Sequence, residues 1–250
     1  MLNGFQIAAT GLAAAQQNVD TIGHNLANVN STAFKRGVVT FQDLLTNVRN
    51  QNNFPVRQEA AVGAGSRAGL QRDWVQGPLI TTGNPWDLAI EGPGFLEVSL
   101  PDGQTGYTRA GTLKQDAEGY LVTANGHRLA VGIYLDPGYT SPVITPQGEV
   151  LAQDEAGEEV WLGYLDLFYA PHQARLLARG EGIYTSDQPL IAGTPGTNGL
   201  GFLRQGSLEA SNVKLEEEMT NLLEAQRYFQ FNATSLSTAD EMWRMVNNLR

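Results

Sequence analysis

Both ends of the chain carry apolar residues at alternating three- and four-residue steps, and the middle does not. At the N-terminus these are Phe5, Ala8, Leu12, Ala15, Val19, Ile22, Leu26 and Val29. At the C-terminus Leu215, Met219, Leu222, Gln226, Phe229, Ala233 and Leu236 repeat the step, then drift to Ala239, Met242 or Trp243, Val246 and Leu249. Such a drift is that of a 3.6-residue helix against a 3.5-residue repeat. Two stripes this far apart in sequence predict two helices, each in need of an apolar partner. The first is also short of charge. Ala9, Gly11, Ala13 and Ala14 are small, and no charged residue occurs before Asp20. A helix with a solvated face normally carries Lys and Glu there, so this one is expected to be crowded by several neighbours. Ser211 or Asn212 is the expected N-cap of the second helix, with Glu216, Glu217 and Glu218 favoured in its first turns by the helix dipole.

Between the stripes, residues 46–206 read as β. "DLAIEGPGFLEVSL" gives two short strands around a Gly-Pro-Gly turn. Further on, turns at Ala117–Gly119 and Asn125–Gly126 separate strand-like pieces, and "GEVLAQDEAGEEVWLGYLDLFYA" reads as a hairpin. Asn47 to Gly69, with Asn, Gln, Gly and Ala and few large apolar residues, reads as a linker or mobile arm. The expected fold is α+β: N- and C-terminal α-helices pair as a coiled-coil-like segment beside a central, mainly-β domain. Its expected parts are an N-terminal helix and turn (1–45), a linker arm and β-rich domain (46–206) and a C-terminal helix (207–250).

A net charge of −10 and a pI near 4.7 argue against an electrostatic grip on nucleic acid or anionic lipid. The absence of cysteine excludes disulfides, thiolate zinc sites and cysteine nucleophiles. No segment is apolar for long enough to span a bilayer, so no direct membrane insertion is expected. The first basic residue is Lys35, and Gln6, Gln16, Gln17, Asn18 and Asp20 interrupt any signal-peptide core, so export would need another route.

Catalytic signals are weak. His24, His127 and His172 are far apart, with no second ligand at a metal-binding spacing. "GAGSRAG" (63–69) and "GTNGLG" (196–201) do not lead from a buried strand into a helix, and read as flexible loops. Asp116, Glu118, Asp154 and Glu155 sit in expected turns. No catalytic residue, cofactor or metal is expected. A cell-wall glycan-binding or glycan-cleaving β module is the alternative from another class, because two acids need only be neighbours in space.

The first helix runs into "NLANVNSTAF", where Leu26 and Val29 keep the stripe going while Asn28 and Asn30 can cap or turn the chain. Asn25, Asn28, Asn30, Phe34 and Lys35 therefore mark a corner, from which the chain is led away.

"GLAAAQQNVDTIGHNLANVNSTAFKR" followed by "FQDLL" closely resembles the N-terminal signature of the flagellar axial proteins of the rod and hook. So do "DLAIEGPGFLEV", "YTRAGTLKQDAEGYLVTANGHRL" and "GSLEASNVKLEEEMTNLLEAQRYFQFNATSLSTADEM", in the expected order. The layout is that of the rod members, distal before proximal; hook members are usually longer. The resemblance implies a non-enzymatic subunit of the bacterial flagellar basal body, in the periplasmic or cell-envelope space. It would be exported uncleaved by the flagellum's own type III apparatus. It would polymerise helically with copies of itself, and join other rod and hook axial proteins and surrounding ring proteins. The product would be a hollow drive shaft that transmits torque and passes exported subunits. The seam residues Phe5, Leu12, Val19, Ile22, Leu26 and Val29 would pack with Leu215, Met219, Leu222, Phe229 and Leu236 in an inner tube. Part of a neutral polar set on the C-terminal helix, Gln226, Gln230, Asn232 and Thr234, would line its lumen. Two departures stand out. Ala33 replaces the glycine usual in the family's turn, which moves the expected left-handed residue to Asn30. The arm after Leu45 is short for a distal rod member.

Overall fold

A computed structural model describes residues 2–43, 66–136, 139, 142–153, 158–171 and 176–248. The chain divides into two compact units, one of residues 1–29, 36–73 and 213–250, the other of residues 30–35 and 74–212.

The first unit holds both helices, α1 (Leu2–Ala27) and α2 (Leu215–Asn248), and the antiparallel strands β1 (Gly37–Asp43) and β2 (Ser66–Arg72). α1 packs against α2 and against both strands. Ala14, Ala15 and Ile22 of α1 and Ala225 of α2 are buried. Gly11 faces Asn232, where an added Cβ would stand at an ordinary contact distance of 3.8 Å from Nδ2.

β1 and β2 pair from Gly37 with Arg72 to Asp43 with Ser66. This corrects two expectations. Ser66–Gly69, taken as the end of a linker and as part of a flexible Gly-rich loop, are strand, and β structure begins at Gly37 rather than near residue 46. β1 is rich in β-branched residues, and its backbone ladder selects a partner whose own side chains give little strand signal. Residues 47–65, the rest of the expected arm, lie outside the described residues.

α2 starts later than its sequence suggests. The Glu218 N–H donates to the Lys214 carbonyl at 3.0 Å, which makes Lys214 the residue before the first turn. Asn212 is engaged elsewhere: its side chain donates to the Val75 carbonyl at 3.0 Å and its N–H to the Phe34 carbonyl at 3.3 Å. Neither Ser211 nor Asn212 is therefore the N-cap. The three glutamates do fall in the first turn.

The second unit is entirely antiparallel among its described strands. Its largest sheet has the order β14 (Leu177–Gly180), β15 (Ile183–Thr185), β6 (Thr105–Thr108), β5 (Leu96–Ser99), β9 (Arg128–Leu129), β8 (Leu121–Thr123), β7 (Leu113–Gln115). A three-stranded sheet joins β10 (Val143–Ile144), β11 (Glu149–Gln153) and β12 (Glu159–Tyr164). Three further pairs complete it: β4 (Leu88–Glu91) with β17 (Phe202–Gln205), β3 (Leu79–Thr81) with β18 (Ser207–Glu209), and β13 (Leu167–Tyr169) with β16 (Ile191–Gly193). The expected strands around Gly-Pro-Gly are β4 and β5, which part to different sheets. The expected hairpin is β11–β12, and the turns at 117–119 and 124–126 fall where they were read. Leu88, Ile90, Leu96, Val98, Leu121 and Leu167 lie in one core. Trp74, Phe95 and Tyr184 meet edge-on in a second, with ring centroids 4.9–6.2 Å apart.

Candidate assembly site

The C-terminal apolar stripe divides between two faces of α2. Leu222, Phe229 and Leu236 are half-buried and lie on the same side as buried Ala225. Leu215 and Met219 are exposed, and with exposed Leu223 they form an i, i+4, i+8 ridge. A straight helix drifts about 20° per heptad against a strict seven-residue repeat, so a stripe aligned with α1 near Phe229 has turned away from it near Leu215. Beyond the ridge, Tyr228, Phe231, Met242 and Met245 are also exposed, Phe231 by 70%. On α1, Ile22 is buried, Leu12, Val19, Leu26 and Val29 are half-buried, and the Phe5 side chain lies outside the described residues. Scattered apolar residues are normal on a surface, but seven large ones on one helix mark an interaction surface.

The neutral polar residues separate in the same way. Gln226, Gln230 and Thr234 follow one another at four-residue steps and are exposed. They continue the face of the Leu215–Met219–Leu223 ridge, so that face changes from apolar to polar after Leu223. Asn232 stands apart from them, with its Nδ2 buried on the side of Gly11.

At the corner, Asn25 is 1% exposed, and its side chain treats Gly37 as a strand partner would. Oδ1 accepts the Gly37 N–H at 2.9 Å, and Nδ2 donates to the Gly37 carbonyl at 2.9 Å. Nδ2 also lies 3.2 Å from Glu218 Oε2, while Glu218 Oε1 is 2.8 Å from Arg36 Nε. Asn25 thus ties the end of α1 to the start of β1 and to the first turn of α2. Asn25→Ala strands both backbone groups of Gly37 and is expected to destabilise this unit by about 2–4 kcal/mol in urea unfolding. Asn28 donates to the His24 carbonyl at 2.9 Å, which ends α1 in a turn, and Asn30 is exposed.

Lys35 and Glu209 form the polar centre of the β unit. The Glu209 carboxylate is fully buried; Oε1 accepts from Lys35 Nζ at 2.6 Å and from the Gly77 N–H at 3.0 Å, and Oε2 from Arg109 Nε at 2.8 Å. Lys35 Nζ also donates to the Val75 carbonyl, and Arg109 to the carbonyls of Gly92 and Gly94. Gly77 is required for this approach, because a Cβ there would stand 2.1 Å from the Ala210 carbonyl oxygen. Burial pushes the Glu209 carboxyl up, but Arg109, Lys35 and the Gly77 N–H together hold it below the ordinary glutamate value. Sequence reading singled out Lys35 and missed its partners. Glu209 and Arg109 lie 174 and 74 residues away along the chain, and the only local signal is a carboxylate at the inward position of a short strand.

The left-handed residue is Ala33, with φ of 55°, and not Asn30. The left-handed cost of about 1–2 kcal/mol is met because the site over-determines it. The Ala33 N–H donates to the Glu209 carbonyl at 2.8 Å, and the methyl is 3% exposed. Ala33→Val adds a β-branch at positive φ in a buried site and is expected to destabilise the β unit by about 2 kcal/mol or more. Ala33→Gly is expected to stay within about 1 kcal/mol of the parent, since relief of strain offsets the lost methyl. Urea midpoints of the two variants check this.

The other polar candidates stay apart. His24 is exposed, and His127 Nε2 lies 3.2 Å from Glu181. Asp116 and Glu118 both pair with Arg128. His172, Asp154 and Glu155 lie outside the described residues. Among the described residues no three His, Cys, Asp or Glu gather as a metal site, and no helix is long and apolar enough to cross a membrane.

Two helices with apolar surface left uncovered, in a chain whose other unit is antiparallel β, mark a component of a larger assembly. Comparison with known proteins gives that class its family. "Flagella basal body rod protein" matches residues 5–35, "Flagellar hook protein FlgE/F/G D1 domain" residues 89–152 and "Flagellar basal body rod FlgEFG protein C-terminal" residues 204–249. The flagellar basal-body rod protein FlgG of Borreliella burgdorferi is 36% identical over 263 residues, covering 100% of this chain and 99% of its own. FlgG of Agrobacterium fabrum is 35% identical, with 98% of each chain covered, and FlgG of Bacillus subtilis 32%, with 100% of each. The chain belongs to the flagellar rod and hook protein family. Within that family its full-length likeness is to the rod protein FlgG, and it is a structural subunit of the flagellar basal-body rod.

Proposed function

We propose that copies of this chain polymerise helically into a hollow drive shaft, with α1 and α2 packed as a coiled-coil-like inner tube. The observation that carries this reading is the uncovered apolar surface of α2, Leu215, Met219, Leu223 and Phe231 above all, which one intrachain partner leaves in water. Surrounding each helix with helices of other subunits removes that surface from water, and burial stabilises by about 25 cal/mol per Å² of apolar area. Other rod and hook proteins and the surrounding rings contact the finished shaft. The stripe Gln226, Gln230, Thr234 faces the lumen, where neutral polar groups hold a passing chain neither by charge nor by apolar contact. Export proceeds through the flagellum's own apparatus without cleavage. Limited tryptic digestion tests the assembly step. Arg227, exposed on α2, is expected to be cut in the free protein and protected in isolated basal bodies. Equal cleavage in both states contradicts the reading.

A further inference from the structure

Sulfur is concentrated on one helix. The chain has four methionines and no cysteine, and apart from Met1, which lies outside the described residues, every methionine falls on α2. Met219, Met242 and Met245 are each more than half exposed. Methionine is ordinarily among the more buried residue types, so three exposed ones on a single helix form a pattern. Met219 sits within the Leu215–Met219–Leu223 ridge, and Met242 and Met245, three residues apart, are neighbours on the helix surface. A flexible, polarisable thioether suits a surface that packs against irregular apolar neighbours. It is also a group that mild peroxide converts from apolar to polar.

We propose that Met219, Met242 and Met245 are oxidation sites whose state decides whether a free chain can be incorporated, a proposal that rests on the assembly reading above. The co-reactant is a peroxide. The thioether sulfur attacks one peroxide oxygen, an S–O bond forms as the O–O bond breaks, and the sulfur gives up two electrons. The departing oxygen takes the proton and leaves as water. The product is a sulfoxide, polar and chiral, of the kind that disrupts methionine-rich interfaces. In the free chain each sulfoxide oxygen stays in water, so the fold of the single chain is unchanged. Against apolar neighbours the same oxygen is a strong acceptor with no donor, and oxidation therefore selects against assembly. Once the helix is covered, the burial that excludes water also keeps peroxide out. The step is reversible: a thiol-dependent sulfoxide reductase releases the oxygen as water while two thiols become a disulfide, one enzyme serving each sulfoxide epimer. The chain has no thiol of its own to compete for the oxidant.

The test uses the unaltered full-length chain, induced in the source bacterium at the moment of a hydrogen peroxide pulse, so that every basal body containing it is new. Peptide masses then give the sulfoxide fraction at the three positions in the soluble pool and in isolated basal bodies. The expected result is sulfoxide in the soluble chain and a fraction lower by about tenfold or more in the assembled chain. Equal fractions, or a soluble chain left unoxidised at these positions, overturn the proposal and leave the rod reading intact. A chain with Met219→Gln, Met242→Gln and Met245→Gln carries a permanent polar group at each site. It is expected to keep the parent's urea midpoint and to be lost from basal bodies, while the three corresponding changes to leucine are expected to incorporate. Incorporation of the glutamine chain at the parent's level, or loss of the leucine chain as well, overturns the proposal. Should the glutamine chain lose stability, the comparison of soluble and assembled parent chain decides alone. Absence of the unaltered chain from basal bodies of unpulsed cells overturns the rod reading and this proposal together.

Discussion

Replacing Glu209 by alanine is expected to destabilise the β unit by about 3–5 kcal/mol, the usual cost of removing one partner from a buried ion pair. The loss is large because it leaves two cations, Lys35 and Arg109, buried without their shared carboxylate. Glu209→Gln keeps the shape and removes only the charge, so its comparison with the parent isolates the electrostatic part. The sign of the pH dependence follows from the lowered carboxyl pKa. The ionised group stabilises the fold fully above the ordinary glutamate value near 4.5, and this contribution is lost as pH falls through the lower folded value. Urea midpoints followed by tryptophan fluorescence should therefore place Glu209→Gln well below the parent at pH 7. The gap should narrow only below about pH 4.5. A gap that stays constant on acidification would show that charge is not what Glu209 contributes.

Replacing Phe231 by glutamate is expected to abolish rod assembly while leaving the free chain as stable as before. Phe231 is 70% exposed in the isolated chain, and substitutions at such sites ordinarily change stability by within about 0.5 kcal/mol. In a packed tube the same site is surrounded by apolar groups, and an unpaired carboxylate there costs several kcal/mol. The expected result is a cell that makes and retains the variant but builds no filament and does not swim. An unfolding midpoint equal to the parent's separates this outcome from misfolding.

The helices were legible in the sequence because their apolar steps extend over many turns, and the family signature was legible because its motifs cover both ends and the centre. The β unit was legible at its turns, where Asn-Gly and Gly-Pro-Gly constrain the backbone locally. β2 was not, since Ser66–Gly69 owe their strand to the open edge of β1 and not to their own side chains. The polar centre was half legible. Asn25 and Lys35 stood out in the corner motif, but their partners Glu218 and Glu209 come from the far end of the chain. Ala33 shows the reverse case. Local steric reasoning moved the left-handed residue to Asn30, and a tertiary hydrogen bond to Glu209 together with burial of the methyl kept it at Ala33. The C-terminal seam was read as one face and is two, because the heptad repeat and the helix period part company over 34 residues.

That division leads to the measurement that bears most directly on the account, thiol labelling of Phe231→Cys and Gln230→Cys in free chains and in isolated basal bodies. The two positions are neighbours in sequence on different faces of α2, and both are exposed in the isolated chain. A small maleimide is expected to modify both in the free protein. In the assembled rod it should reach only the Gln230→Cys thiol, through the channel. Equal labelling of the Phe231→Cys thiol in the two states would contradict it.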